Sequence, residues 1–211
     1  MAEIIPSIIA KTFEEVKQKI VLADDQATWV QLDIMDGKFV VPTTWDIPDD
    51  LENLDGKTKI EVHLMVKKPE EELKLWMDFA DRILVHAEAT DFLVTVAESF
   101  DGATTKLGVA LKIDTPLSVL EDIYGKVDHV QLMSIDVLGH YGAKFDDRIY
   151  GRIIEVKKMY PEMKINVDGG ITLDNAPKLI AVGADALVVG SAIWDSGDPK
   201  EAIKLFQSLG T

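Results

Sequence analysis

Three stretches of the chain carry residues with chemistry to offer, and each sets a polar side chain near the end of an apolar run. Trp29 to Ile34 alternates. As a strand it would place Val30, Leu32 and Ile34 on one face and Gln31 and Asp33 on the other. Lys59 to Met65, reading KIEVHLM, puts His63 opposite Ile60, Val62 and Leu64, and Lys164 to Gly170, reading KINVDGG, does the same for Asp168. A carboxylate turned inward at the end of an apolar strand is costly unless it is paired or bound to a metal. Two carboxylates and an imidazole suit proton transfer or the holding of a divalent cation. Singly, each residue has a plain structural reading. Asp33 could cap backbone amides, His63 could be a hydrogen-bonded core histidine, and Asp168 could serve the turn at Gly169-Gly170. Three such residues at three strand ends favour one shared site.

The elements that must position them alternate along the chain. Strands are expected over 3–9, 29–34, 60–65, 82–86, 106–111, 127–133, 164–167 and 186–189. Helices are expected over 12–23, 69–79, 91–100, 146–159, 173–182 and 199–209, with another opening at Thr115-Pro116. Thr12 and Glu15 form a possible capping box, Pro69 suits a first helical position, and Asp91 is a plausible cap. Strands nearly continuous in Val, Ile and Leu indicate a parallel sheet covered by helices. No G-x-G-x-x-G follows the first strand, which argues against a doubly wound dinucleotide fold. Eight strands with polar residues at their C-terminal ends instead predict an α/β protein of the (β/α)8 TIM-barrel class, whose sites are built at that end.

Composition narrows the partners. The 211 residues are 47% hydrophobic, with no linker-like tract, so residues 1–211 are expected to form a single barrel domain. Lys and Arg number 22 against 37 Asp and Glu, a net charge of −15. Nucleic acid and anionic membranes are therefore poor partners, and an anionic ligand would need backbone N–H groups or a few local cations. No apolar run approaches the ~20 residues that span a bilayer, and the N-terminus lacks a signal-peptide pattern. Cys is absent, which removes disulfides and thiol chemistry and fits a cytoplasmic location.

With these readings in place, the motifs resemble those of the ribulose-phosphate 3-epimerases. The likeness runs through PSI at 6–8, LDIMDGKFV at 32–40, EVHLMV at 61–66, HAEAT at 86–90, GVAL and TPLSVLE within 108–121, LMS at 132–134, VDGG at 167–170 and GADALVVGSAI at 183–193. The resemblance implies a metal-dependent isomerase that epimerises C3 of a ketose phosphate, D-ribulose 5-phosphate first and allulose 6-phosphate second. It implies Asp33 and Asp168 as the acid–base pair and as ligands, with His63, to a divalent metal such as Zn, Mn, Mg or Fe. The family's second ligand His falls where this chain has Gln31, which makes Gln31 a candidate ligand of a different kind. Met35, Met65 and Met133 correspond to methionines around the substrate, and Ser7 to a substrate-contacting serine. Gly169, Gly170, Gly190 and Ser191 correspond to the phosphate-binding loops, in keeping with the phosphate site of such barrels. A small-molecule phosphosugar partner and a homo-oligomer are expected.

One segment departs from that pattern. Where the family reads V-N-P-G-F-G-G-Q-x-F after LMS, this chain reads IDVLGHYGAKF over 135–145, with one residue more and without the Pro and the Gln. Gly142 matches the last lid glycine, and His140 is a candidate substrate contact. His86 and His129 are assigned structural roles. The related barrel lyases carry D-x-K-x-x-D, and no Lys lies between Asp33 and Asp36, which argues against a decarboxylase. A non-catalytic phosphosugar-binding barrel is the reading from outside catalysis.

Overall fold

In a computed structural model that describes residues 2–54 and 56–209, apolar alternation along the strands becomes a closed barrel with helices packed outside it. The strands are β1 (Glu3–Ile8), β2 (Trp29–Met35), β3 (Lys59–Met65), β4 (Arg82–His86), β5 (Lys106–Leu111), β6 (His129–Met133), β7 (Lys164–Asp168) and β8 (Ala186–Val189). Each pairs in parallel with its sequence neighbours, and β8 returns to β1. Outward residues such as Leu32, Ile34, Val62, Leu64, Ile83 and Val85 merge into one apolar layer beneath the helices. The opposite strand faces point into the barrel, and register decides which of their residues meet. Asp33 lies beside His63 across β2 and β3, and Met133 beside Asp168 across β6 and β7.

The helices are α1 (Phe13–Ala23), α2 (Leu73–Trp76), α3 (Leu93–Glu98), α4 (Arg148–Met159), α5 (Ala176–Ala181), α6 (Ser191–Trp194) and α7 (Pro199–Ser208). The Thr12 hydroxyl accepts the Glu15 N–H at 3.3 Å, as the capping box requires, but the Glu15 carboxylate reaches back to Lys11 rather than to Thr12. Other helices are shorter than the sequence pattern predicts. The expected helix over 69–79 is a 3₁₀ turn at Pro69–Glu71 followed by the four residues of α2. The one opening at Pro116 is a 3₁₀ turn at Leu117–Leu120. Asp91 caps nothing, since α3 begins at Leu93 without a side-chain cap. A short helix persists only where tertiary contacts bury its apolar side chains. Leu73 and Trp76 are buried, and α2 runs no further than these two side chains.

The N-terminal end of the barrel carries its own buried charge. Glu61, one inward layer below His63, pairs with Arg82 and lies 3.3 Å from His129 Nε2. Burial would raise the Glu61 pKa, but His129 and Arg82 outweigh it and hold the carboxyl below its ordinary value. The Arg82 guanidinium stands 4.2 Å over the Trp29 ring. Gly108 makes room for the imidazole, because a Cβ there would lie 2.2 Å from His129 Cε1. Gly108→Ala should therefore destabilise the fold by roughly 1–3 kcal/mol through overpacking. Urea unfolding of both proteins measures this, and an unchanged midpoint would show that the ring moves aside freely.

Candidate active site

At the C-terminal mouth of the barrel the inward polar residues of β2, β3 and β7 come together. His63 Nδ1 is 3.0 Å from Asp33 Oδ1 and 3.8 Å from Asp168 Oδ2. One donor atom from each of the three lies within 4.8 Å of the others, and all three residues are buried. Gln31 completes the group. Its amide nitrogen is 2.8 Å from Asp33 Oδ1, 3.3 Å from His63 Nδ1 and 3.1 Å from Asp168 Oδ2. Its carbonyl oxygen is buried and finds no hydrogen-bond partner among the described residues. Ligands about 2 Å from one tetrahedral ion stand roughly 3.3 Å apart. The Gln31 amide thus occupies a fourth corner around a space suited to a small cation. Turning the amide over would bring its orphaned oxygen there in place of the nitrogen.

Two carboxylates so placed cannot share the site without an electrostatic consequence. Asp33 and Asp168 are 5% and 9% exposed. Burial first, and then the charge of Asp33, push the Asp168 pKa up to about 7. Burial would lower the His63 pKa, but the hydrogen bond to Asp33 and the charges of both aspartates outweigh it and raise it. The cluster therefore holds protons that a divalent cation would displace. Asp168 Oδ2 also accepts the Gln131 amide N–H at 2.9 Å, leaving Oδ1 as the oxygen free to carry a proton.

A lid formed by 135–145 covers this centre. Its Tyr141 hydroxyl donates to the Ser7 carbonyl and accepts the Ile9 N–H, both at 3.0 Å, which ties the lid to β1. Trp194 Nε1 donates to the same Ser7 carbonyl at 2.6 Å. Gly190 admits the tyrosine, since a Cβ there would lie 2.5 Å from the ring. Asp33, Met65, Met133, His140, Gly142 and Asp168 all border the enclosed space, as do Ser7, Gly169, Gly170, Gly190 and Ser191. Met35 does not reach it, being packed with Met65, Met133, Val40 and Leu138 beneath the lid. That space is about 50 Å³, room for a few waters and far too little for a sugar phosphate.

The family described as "Ribulose-phosphate 3 epimerase family" matches residues 3–194. The chain belongs to the ribulose-phosphate 3-epimerase family. It is 34% identical to the Bacillus subtilis (strain 168) ribulose-phosphate 3-epimerase, over 96% of this chain and 97% of that protein. With the chloroplastic ribulose-5-phosphate-3-epimerase of Arabidopsis thaliana it shares 34% identity, over 94% and 74% of the two chains. The 3-hexulose-6-phosphate synthase of Salmonella typhimurium has a similar fold, with a TM-score of 0.73 and 17% identity over 99% of this chain and 98% of that one. Membership makes the chain an isomerase.

Several residues at this epimerase-family site escape a reading by motif. Gln131 follows the inward alternation of β6, yet the LMS motif begins one residue after it. His86 opens the HAEAT motif but is assigned a structural role, and it stands with Nε2 3.0 Å from His63 Nε2. Tyr141 falls inside the divergent lid, where no motif points to it. Asp36 serves the loop instead, accepting the N–H groups of Lys38, Phe39 and Lys67 at 2.8 to 3.0 Å. Tyr141→Phe removes the hydroxyl that pins the lid and leaves the Ile9 N–H unpaired, a loss of roughly 1–3 kcal/mol in lid closure. Hydrogen exchange at residues 136–144 should accelerate in this variant. Unchanged protection would mean that the lid is held by other contacts.

Proposed function

We propose that the chain interconverts D-ribulose 5-phosphate and D-xylulose 5-phosphate, with Asp33 and Asp168 as the two proton-transfer groups. The observation that carries this reading is the buried Asp33–His63–Asp168 cluster beneath a lid in a member of this family. Epimerising a carbon beside a carbonyl means removing a weakly acidic proton from one face and returning one to the other. A single base reaches one face only, so two carboxylates carried by different strands, β2 and β7, suit the task. A raised pKa fits Asp168 to hold the proton that it delivers, on Oδ1, while Asp33 withdraws the proton from the other face. In the reverse direction the roles exchange.

Asp33, His63 and Asp168, with the Gln31 carbonyl oxygen as a fourth group, would hold a divalent cation. Such an ion supplies positive charge to the oxygens that become negative when C3 loses its proton. Gln131 donates to Asp168 and fixes its orientation. Met65 and Met133 give the sugar an apolar bed that excludes water. Backbone N–H groups near Gly170, Gly190 and Ser191 would receive the phosphate, which explains how so acidic a chain binds an anion. The lid keeps water from the carbanion-like species once the substrate is seated.

The direct test is incubation with D-ribulose 5-phosphate in deuterium oxide, following xylulose 5-phosphate and deuterium at C3. Turnover with deuterium incorporation is expected. Inertness toward this substrate beside rapid turnover of allulose 6-phosphate would reassign the substrate. Asp33→Asn and Asp168→Asn should each lower kcat by ~10²–10⁴-fold with the fold retained. Near-native turnover in either variant would refute the two-carboxylate mechanism.

Gln31→His tests the ligand assignment. Imidazole favours zinc more than an amide oxygen does. The variant should therefore bind zinc more tightly than the native protein in titrations at one pH. Equal affinity in two folded proteins would remove position 31 from the ligand set.

A further inference from the structure

Behind the proposed ligand His63 runs a line of polar contacts, from two buried imidazoles out to Glu88 at the surface, that the reaction itself does not use. His63 Nε2 is 3.0 Å from His86 Nε2, and His86 Nδ1 is 3.1 Å from Glu88 Oε2. The other carboxylate oxygen, Glu88 Oε1, accepts the Lys112 N–H at 2.7 Å and the Thr115 hydroxyl. Both imidazoles are fully buried. Their centroids are 5.0 Å apart with planes 26° apart. With two nitrogens at 3.0 Å, the rings must meet edge to edge, in hydrogen-bonding rather than face-to-face contact.

We propose that Glu88 and His86 are positioning residues that fix the tautomer of His63 and so present its Nδ1 lone pair to a cation between Asp33 and Asp168. The argument needs only a count of protons. A carboxylate with two fixed donors on one oxygen is an acceptor at the other, so His86 carries its proton on Nδ1. Its Nε2 is then bare and accepts from His63, which fixes the His63 proton on Nε2. The Nδ1 of His63 is left as the atom that faces both aspartates, whether a proton or a cation sits there. Polar groups behind a metal-binding histidine act in this way in general, and losing one costs about 10–100-fold in affinity. Here a second histidine is interposed, so the carboxylate acts from two side chains away.

The inference rests on the reading of the mouth as a cation site, and one variant separates the two. In Glu88→Gln the amide oxygen is drawn to the Lys112 and Thr115 donors, which turns the NH₂ group toward His86 Nδ1. His86 must then accept there and move its proton to Nε2. Facing that N–H, His63 gives up its own Nε2 proton and holds one on Nδ1, covering the ligand atom. The whole chain of donors reverses. Histidine ¹⁵N spectra of the native protein, which need no variant, should show His86 as the Nδ1–H tautomer and His63 protonated at Nε2. In Glu88→Gln the His86 signal should switch to Nε2–H, and Zn²⁺ affinity should fall ~10–100-fold while the unfolding temperature of the metal-free protein stays near native. A native His86 protonated on Nε2 would overturn the relay, as would native Zn²⁺ affinity in the variant. If the native protein binds no Zn²⁺ and the expected tautomers are present, the cation reading fails and the relay stands as the device that orients His63 toward the aspartates.

Discussion

Two carboxylates buried at one end of a barrel are the constraint on which the rest of this structure depends. Asp33 and Asp168 lie in a low-dielectric mouth where two bare negative charges would repel strongly. The chain answers with donors from several strands. Gln31 reaches both aspartates, Gln131 reaches Asp168, and the His63 ring stands against Asp33. What remains uncompensated appears as the high Asp168 pKa. The same imbalance that costs stability keeps a proton available at neutral pH, which is what a reaction at a weakly acidic carbon needs.

The two ends of the barrel treat buried charge differently. At the N-terminal end Glu61 is closed in by Arg82 and His129, and its pKa is held low. Gly108 shows how tightly that layer is filled. At the C-terminal end the carboxylates face a space bordered by methionines, glycines and a lid. Buried charge is compensated at one end and left partly uncompensated at the other, the end where the fold class builds its sites. The Glu88–His86–His63 line lies between these regimes, because it is satisfied at its outer end and offers a lone pair at its inner one.

The sequence by itself determined the strands and their polarity. Alternation in 29–34 and 60–65 is a local property, so it told which side chains face inward before any partner was known. It also supported the barrel, since eight apolar strands with polar C-terminal ends have few other homes, and the motifs carried the family. Most residues singled out by motif border one space, while Gln31 and His63 stand behind it against Asp33 and Asp168, and Met35 packs under the lid.

Tertiary structure decided the remainder, because it depends on which distant residues the closed barrel brings together. Gln31 and Asp168 are 137 positions apart and meet only through closure. No spacing could reveal that Gln131 would donate to Asp168, that His86 would stand behind His63, or that Tyr141 would bridge to β1 across 134 residues. Helix lengths likewise escaped the sequence. The segments after Pro69 and Pro116 carry helical signals, yet burial of a few side chains, not propensity, fixed how far each helix runs. Facing is local and legible, whereas meeting is global and set by register and closure.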